Sequence, residues 1–519
     1  QNTKSYDIQM TQTEESANAK ESTFGQEELS NEAKALLHKT AIEAVFAQVA
    51  ANEKKLQEEG KTAPGGTGGR PMPASKGIKL FGQLAIAAMF KEFKQLVDLK
   101  VFEGIKPEEM TDEQLQKVLN VLHIIKQKRC GKIKGRTVAN GSRQRSYVTK
   151  EESTSPTVSF EALVASFVID AHEGRDVAIF DVPGAYLHSE FPEDKVVVVR
   201  FDGEFVDIMC DVNPEFIPFV RIENGKKVLY LRLLKALYGC MESALLWYEL
   251  STTLKSMGFE VNPYDRCVAN RIVNENQQTI CWYVDDNKLS HKDPAVNDEV
   301  LDKLTERFGG LDISRGNEHN FLGIDFKILE DGKLEIGMVD YINECIEAFG
   351  EKIEGKVSTP ATRHLFDVNE FSNQLDDDKG DIFHSVVSKL LWVAKRGRPD
   401  VDPAITFLCS RVSKSTVDDW MKLKRVLKFL KQTINDKRVI GADNLLELFT
   451  WIDASYAVHP DARSHTGGVM SMGWGILHYL CGKQKLNTKS STESEIVGVS
   501  DYVPFNVWFR LYMEAQGYF

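Results

Sequence analysis

No stretch of this chain approaches the roughly 18–20 consecutive apolar residues that a membrane-spanning helix requires, and the opening Gln1-Asn2-Thr3-Lys4 has no charged segment leading into an apolar one. A soluble, unexported, cytoplasmic protein with no membrane partner is therefore expected. The eight cysteines, at positions 130, 210, 240, 267, 281, 345, 409 and 481, are scattered, with no Cys-x-x-Cys and no clustering with histidine. That spacing argues against a disulfide framework or a zinc site. A Gly-x-x-x-x-Gly-Lys-Ser/Thr loop is also missing, which disfavours an NTPase. Glycine and proline are near average, so collagen-like chains and wholesale disorder are excluded.

What is present is 519 residues, room for about three domains, with 64 Lys+Arg against 76 Asp+Glu for a formal charge of −12. The first residue is not Met, so a piece of a longer polypeptide is expected. Residues 1–30 carry no hydrophobic period and read as disordered. A helix is expected within Ser30–Gly60, followed by a Gly/Pro linker over 63–71. Helices are predicted over about 82–100 and 112–127, the second opening on a Thr111/Gln114 capping box. The pattern then turns to mixed α/β. Strands fall at Val177–Phe180, Val196–Val199, Thr279–Val284 and Leu448–Ile452, with a helix ending at Gly258 and a helical stretch over about 384–432.

Two features point to chemistry. Asp181 ends an apolar strand, and Asp285 and Asp286 follow another, Cys281-Trp282-Tyr283-Val284. Carboxylates at strand ends can converge on divalent ions that clamp a transferring phosphoryl group; an Asp-Asp-Asn turn is equally ordinary hairpin chemistry. The second feature is basic. Between His123 and Lys150 there are nine Lys/Arg and no acid, which suits a phosphate-facing surface or a solvated loop. A milder excess, Lys422, Lys424, Arg425 and Lys428, marks either one side of a groove or an exposed helix face.

These residues carry a resemblance. Phe180-Asp181-Val182-Pro183-Gly184-Ala185-Tyr186 and Tyr283-Val284-Asp285-Asp286 look like the first and third catalytic motifs of reverse transcriptases. In order along the chain they are joined by Lys134-Gly135-Arg136-Thr137-Val138-Ala139-Asn140-Gly141, Leu234-Lys235-Ala236-Leu237-Tyr238-Gly239, Phe321-Leu322-Gly323 and Arg398-Pro399-Asp400. The set resembles the polymerase of copia-type LTR retrotransposons over roughly residues 85–519. The argument is one of analogy.

The resemblance implies that Asp181, Asp285 and Asp286 hold two Mg²⁺ (or Mn²⁺) ions with help from the Val182 carbonyl. Tyr186 would exclude a ribose 2′-hydroxyl by steric clash, a core tyrosine being the competing reading. Tyr238 and Gly239 would lie beside the incoming nucleotide, and Arg136 and Lys134 would contact its triphosphate. The chain departs from the family after Gly239, where Cys240-Met241-Glu242-Ser243-Ala244-Leu245 lacks the usual Pro and Arg, and Asn140 replaces a common Lys. Asp453 and Glu495 resemble the first two metal-binding acids of the family's ribonuclease H domain, although Thr492-x-x-Glu495 also reads as a capping box. The stretch after Asp453 is short, so little or no ribonuclease H activity is expected.

The implied fold is α+β: a right-hand polymerase of fingers, palm and thumb followed by a truncated ribonuclease H-like domain. The expected segments are 1–80 (N-terminal segment and linker), 81–355 (fingers and palm), 356–445 (thumb or connection) and 446–519 (partial ribonuclease H-like domain). The implied function is RNA-directed DNA polymerisation. Its partners would be an RNA or DNA template-primer, dNTPs and the rest of a polyprotein, in the cytoplasm and within virus-like particles. The rival is a decayed or repurposed element protein that binds nucleic acid without polymerising. Protease, zinc-knuckle and integrase motifs are not found, so those activities would lie outside this chain.

Overall fold

The computed structural model describes residues 71–127, 131–148, 156–182, 187, 190–191, 195–240 and 248–518. The expected N-terminal disorder, the 30–60 helix, the linker as far as residue 70, Tyr186 and the divergent 241–245 segment lie outside the described residues. The chain divides into two compact units. One takes in the described residues of Gln1–Gln95, His123–Arg136 and Phe201–Leu229, and the other those of Leu96–Leu122, Thr137–Arg200 and Tyr230–Phe519.

In the first unit most of the helix Gln83–Asp98 lies against sheet, with Met72 paired to Ile125 and a hairpin joining Val220–Glu223 to the start of Lys226–Leu233. Its core is aromatic. His123 sits with its ring centroid 5.3 Å from that of Phe93 and 4.1 Å from that of Phe205. Burial holds this imidazole neutral, with its pKa pushed down to about 3.

Leu119–Gln127 is a strand rather than the second half of a helix. The Thr111/Gln114 capping box forms as read, but the helix it opens is only Asp112–Gln116. Leu115, Val118, Leu119 and Leu122 have helical spacing. Within the second unit, however, Leu119 and Asn120 pair with Val199 and Arg200, and this long-range pairing overrides the local period.

The second unit is built around one helix, α1 (Phe160–Glu173). Its N-cap Ser159 accepts from the Ala162 amide, while Asp265 accepts from both the Ser159 amide and hydroxyl at 2.9 and 2.8 Å. Every residue from Ala162 to Ala171 is buried, the signature of a helix with packing on all sides. Against it lies an antiparallel sheet of β1 (Asp176–Asp181), β2 (Val268–Val273), β3 (Asn276–Tyr283), β4 (Asp286–His291) and β5 (Asp312–Arg315), in the order β5-β1-β4-β3-β2. Helix α2 (Pro294–Phe308) contacts β1 and β4 of this sheet and fastens to it when Asn297 donates to Asp176 at 2.8 Å and accepts from Gln278 at 2.9 Å.

A second sheet joins β6 (Glu318–Phe321), β7 (Ile324–Ile328) and β8 (Leu334–Gly337) to β9 (Arg438–Ala442). Helices α3 (Val339–Phe349), α4 (Asp377–Ala394), α5 (Asp402–Cys409) and α6 (Val417–Gln432) separate β8 from β9 in sequence. The chain ends in a three-stranded sheet, β10 (Phe449–Ser455), β11 (His465–Ser471) and β12 (His478–Lys483), packed against α7 (Ser491–Ala515). This module is tied to the β1–β5 layer. The Tyr512 hydroxyl donates to the Ala162 carbonyl, Asn262 donates to the Tyr512 carbonyl, and Arg175 reaches the Tyr518 hydroxyl at 2.7 Å.

Candidate active site

Asp181 is the last residue of β1, and the sheet register sets Asp286 opposite it on one side and Asp312 on the other. Side chains at paired positions share a face, so three acids form a row across the sheet. Asp312 escaped the sequence reading because nothing in Leu311-Asp312-Ile313 marks a site until its strand is paired.

Asp285 belongs to the two-residue loop Val284-Asp285 that joins β3 to β4, closed by the Tyr283–Asp286 pair. The segment is a hairpin turn, and it carries two carboxylates at its end. Tight hairpins of this length demand positive φ, usually from Gly or Asn. Here Val284 takes it, at φ +60°. A β-branched residue in that region is strained by about 1–3 kcal/mol, a cost found where the surrounding structure over-determines a functional turn. The bonds that hold it are visible. The Asp285 carbonyl accepts from the Val182 amide at 3.3 Å and from Asn287 Nδ2 at 2.8 Å, pinning the loop to the end of β1.

Partial burial, then the charges of Asp285 and Asp181, push the Asp286 carboxyl up from its ordinary 3.8 to about 6. Clustered carboxylates that resist ionising together are suited to a cation. Among the described residues no group of three or more His, Cys, Asp or Glu side chains is arranged to hold a metal ion by itself. Mg²⁺ is typically held by one or two carboxylates together with substrate phosphates rather than by an all-protein cage, so this donor set fits such an ion.

The sign of the pH effect follows. Between 3.8 and about 6 the folded chain holds a proton on Asp286 that the unfolded chain has released, so this group's contribution to stability falls as pH rises through that window. Metal-free protein is expected to gain thermal stability between about pH 7 and pH 5 relative to an Asp286→Asn variant. Melting curves at both pH values check this, and parallel behaviour of the two proteins would refute the shift.

The remaining candidates fall as follows. Tyr238 accepts the Ala139 amide through its carbonyl at 2.7 Å, and Gly239 follows at φ +82°. A Cβ on Gly239 would stand 2.3 Å from both the Ala139 carbonyl oxygen and Val138 Cγ1, so both φ and space require glycine. Gly239→Ala is expected to cost roughly 2–4 kcal/mol by denaturant unfolding. Gly258→Ala, with the same backbone problem but open space around it, should cost about 1 kcal/mol. Equal losses would show that crowding at Gly239 is relieved.

Lys134 and Arg136 lie on the exposed face of the strand Ile133–Ala139, in the other compact unit. Asp453 is exposed on β10, opposite Gly467. The α7 cap is made by Ser490 and Glu493, so the Thr492/Glu495 capping box does not form and Glu495 is released from that role. Three of the basic residues of α6 are engaged by the chain itself. Lys422 donates to the Asp367 carbonyl, Lys424 pairs with Glu351 at 2.7 Å, and Arg425 donates to the Thr359 carbonyl, fastening residues 351–367 to the helix.

The sequence also gave little warning of what lies behind the carboxylates. Lys288, two residues from Asp286, is fully buried and bonded to Asp170 and to the Ser166 hydroxyl, with Arg175 4.0 Å from the same Asp170.

Residues 110–363 match the sequence profile of a family described as reverse transcriptase (RNA-dependent DNA polymerase). The retrovirus-related Pol polyprotein from transposon TNT 1-94 of Nicotiana tabacum is 25% identical over 395 residues, 74% of this chain and 28% of that polyprotein. The transposon Ty1-BL Gag-Pol polyprotein of Saccharomyces cerevisiae is 26% identical over 440 residues, 81% of this chain and 23% of that polyprotein. The chain thus spans about a quarter of the length of these relatives. Among solved structures, a foamy viral protease–reverse transcriptase in complex with an RNA/DNA hybrid aligns with a TM-score of 0.46 at 12% identity, over 80% of this chain and 45% of that one. The profile match spans both acid-bearing strands and their turn, so residues 110–363 are similar to reverse transcriptases, and the longer alignments are to the Pol polyproteins of these retrotransposons.

Proposed function

We propose that this chain is an RNA-directed DNA polymerase that extends a primer with deoxynucleotides on an RNA or DNA template. The observation that carries the reading is the register of β1 against β4, which sets Asp181 opposite Asp286 while the Val284-Asp285 turn is pinned beside them. In this reading Asp181, Asp285 and Asp286, with the Val182 carbonyl, hold two Mg²⁺ or Mn²⁺ ions. Bound ions would neutralise the triphosphate and lower the pKa of the primer hydroxyl. The protein's own share is positioning, which dominates phosphoryl transfer. The sheet fixes the spacing of the acids, and Gly239 lets backbone approach closely. Tyr186 would select against a 2′-hydroxyl, and Tyr238, Arg136 and Lys134 would contact the incoming dNTP.

The same reading assigns residues 81–355 to fingers and palm, 356–445 to a thumb or connection and 446–519 to a partial ribonuclease H-like domain. Asp453 and Glu495 are its candidate acids, with little nuclease activity from this segment alone. The Gag-Pol and Pol relatives make other polyprotein parts, and a virus-like particle, the natural setting. Among the described residues no helix is long and apolar enough to cross a membrane.

The test is primer extension on oligo(dT)-primed poly(A) with Mg²⁺ or Mn²⁺. Extension by the wild type supports the reading. Salt-sensitive binding of the primed template without extension would favour the non-polymerising nucleic-acid binder instead.

A further inference from the structure

A cationic recess lies in the same unit as the carboxylates. It is a cleft of about 320 Å³ bounded by the start of α1, the residues after α4, and β12, and lined by Phe160, Glu161, Lys395, Arg396, Arg438 and His478. Its cations differ in what already engages them. Lys395 is paired with Asp402 at 2.7 Å. Arg438 is buried and spends its donors on the carbonyls of Arg396, Ile476 and Leu477, so carbonyl dipoles rather than a carboxylate hold its charge.

Arg396 is the least satisfied. Its guanidinium lies 3.3 Å from the ring centroid of Trp392 and 5.4 Å from that of Phe160, and among the described residues its buried Nε has no hydrogen-bond acceptor. An orphaned buried donor is costly and points to an acceptor that the protein does not itself supply. The opposing charge is Glu161, whose Oε1 stands 3.8 Å from His478 Nε2. Burial keeps His478 neutral, with its pKa pushed to about 3, so it adds no charge. The balance is two guanidiniums against one carboxylate, between aromatic walls. Guanidinium with aromatic surface is the combination that grips a phosphate while tolerating the ring beside it. The recess is joined to the acidic hairpin by backbone, since the Val158 amide just before α1 donates to the Trp282 carbonyl of β3 at 3.0 Å.

We infer that this recess is a phosphate subsite for a nucleic-acid strand bound at the Asp181–Asp286 centre, with Arg396 as the contacting residue. The identity of the strand rests on the polymerase reading; the anion chemistry of the recess does not.

The experiment is fluorescence anisotropy of a labelled primed duplex with the full chain and Mg²⁺, between about 50 and 200 mM salt. Arg396→Gln is expected to weaken binding roughly five- to ten-fold and to lower the slope of log K against log salt by about 1. Arg396→Lys should keep most of the slope, and Glu161→Gln, by removing the opposing charge, should tighten binding roughly two- to three-fold. A purely structural Arg396 would leave the slope unchanged, and Glu161→Gln would then fail to tighten; either result overturns the inference. So would displacement of the duplex from wild type by inorganic phosphate at constant ionic strength with an unchanged slope in Arg396→Gln, which would assign the recess to free phosphate. Because the readout is binding, a wild type that binds with this slope yet does not extend primers sinks the polymerase reading alone. An active polymerase with no slope change in Arg396→Gln sinks this inference alone.

Discussion

Asp286→Asn is expected to slow primer extension roughly a thousand-fold or more, the equivalent of about 4 kcal/mol of barrier. The same variant should be at least as stable as the wild type at neutral pH. Both effects have one cause. Asp286 is partly buried beside Asp285 and Asp181, and this environment drives its carboxyl up to about 6, so ionisation there opposes folding when no cation is present. Asparagine keeps the shape and removes the repulsion, and with it goes the charge that would hold an ion against a triphosphate. Gain of stability with loss of activity is the mark of an acid retained for chemistry. Single-turnover extension and thermal melting on the same preparations measure the two halves. A variant that still extends primers within about ten-fold of wild type would remove Asp286 from the proposed metal site.

The carboxylates were legible because the strands that carry them are short apolar runs with acids at their ends. The local pattern gives the element, and the family resemblance gives the pairing. What it could not give is register. That Asp286 faces Asp181, and that Asp312 extends the row, depends on how β1, β4 and β5 align, which is settled by sheet packing against α1 and α2. The same limit explains the error at Leu119–Gln127, where helical spacing was real and strand pairing prevailed. It also explains α6, whose cations read as a surface from sequence. Three of them hold residues 351–367, whose carbonyls and Glu351 lie more than 50 positions away. Lys288 is the clearest case. A lysine two residues after an acidic turn reads as a solvated charge, and only the fold shows that its partner is on a helix 118 positions earlier, at Asp170.

That pair supports the second large expectation. Asp170→Ala should destabilise the protein by about 3–5 kcal/mol, since it leaves the Lys288 ammonium buried without a counter-charge. The remaining contacts are the Ser166 hydroxyl at 2.8 Å and the face of Phe167 at 4.8 Å, and neither replaces a carboxylate. Lys288→Met should cost less, because Asp170 keeps the Arg175 guanidinium 4.0 Å away. Asp170→Leu combined with Lys288→Met should cost less than Asp170→Ala alone, because no charge is then stranded. Urea unfolding of the three variants tests this, and an Asp170→Ala loss below about 1 kcal/mol would mean that water reaches the ammonium.

The double variant also separates stability from alignment. Lys288 and Asp286 share a face of β4, and a one-residue slip would turn both to the other side, carrying Asp286 away from Asp181. A charge that can be buried only opposite Asp170 penalises that slip, whereas leucine and methionine would tolerate either face. The double variant should therefore fold with near-native stability yet extend primers more slowly than its stability implies. Full activity in that variant would show that packing against α1 and α2 fixes the register without the ion pair.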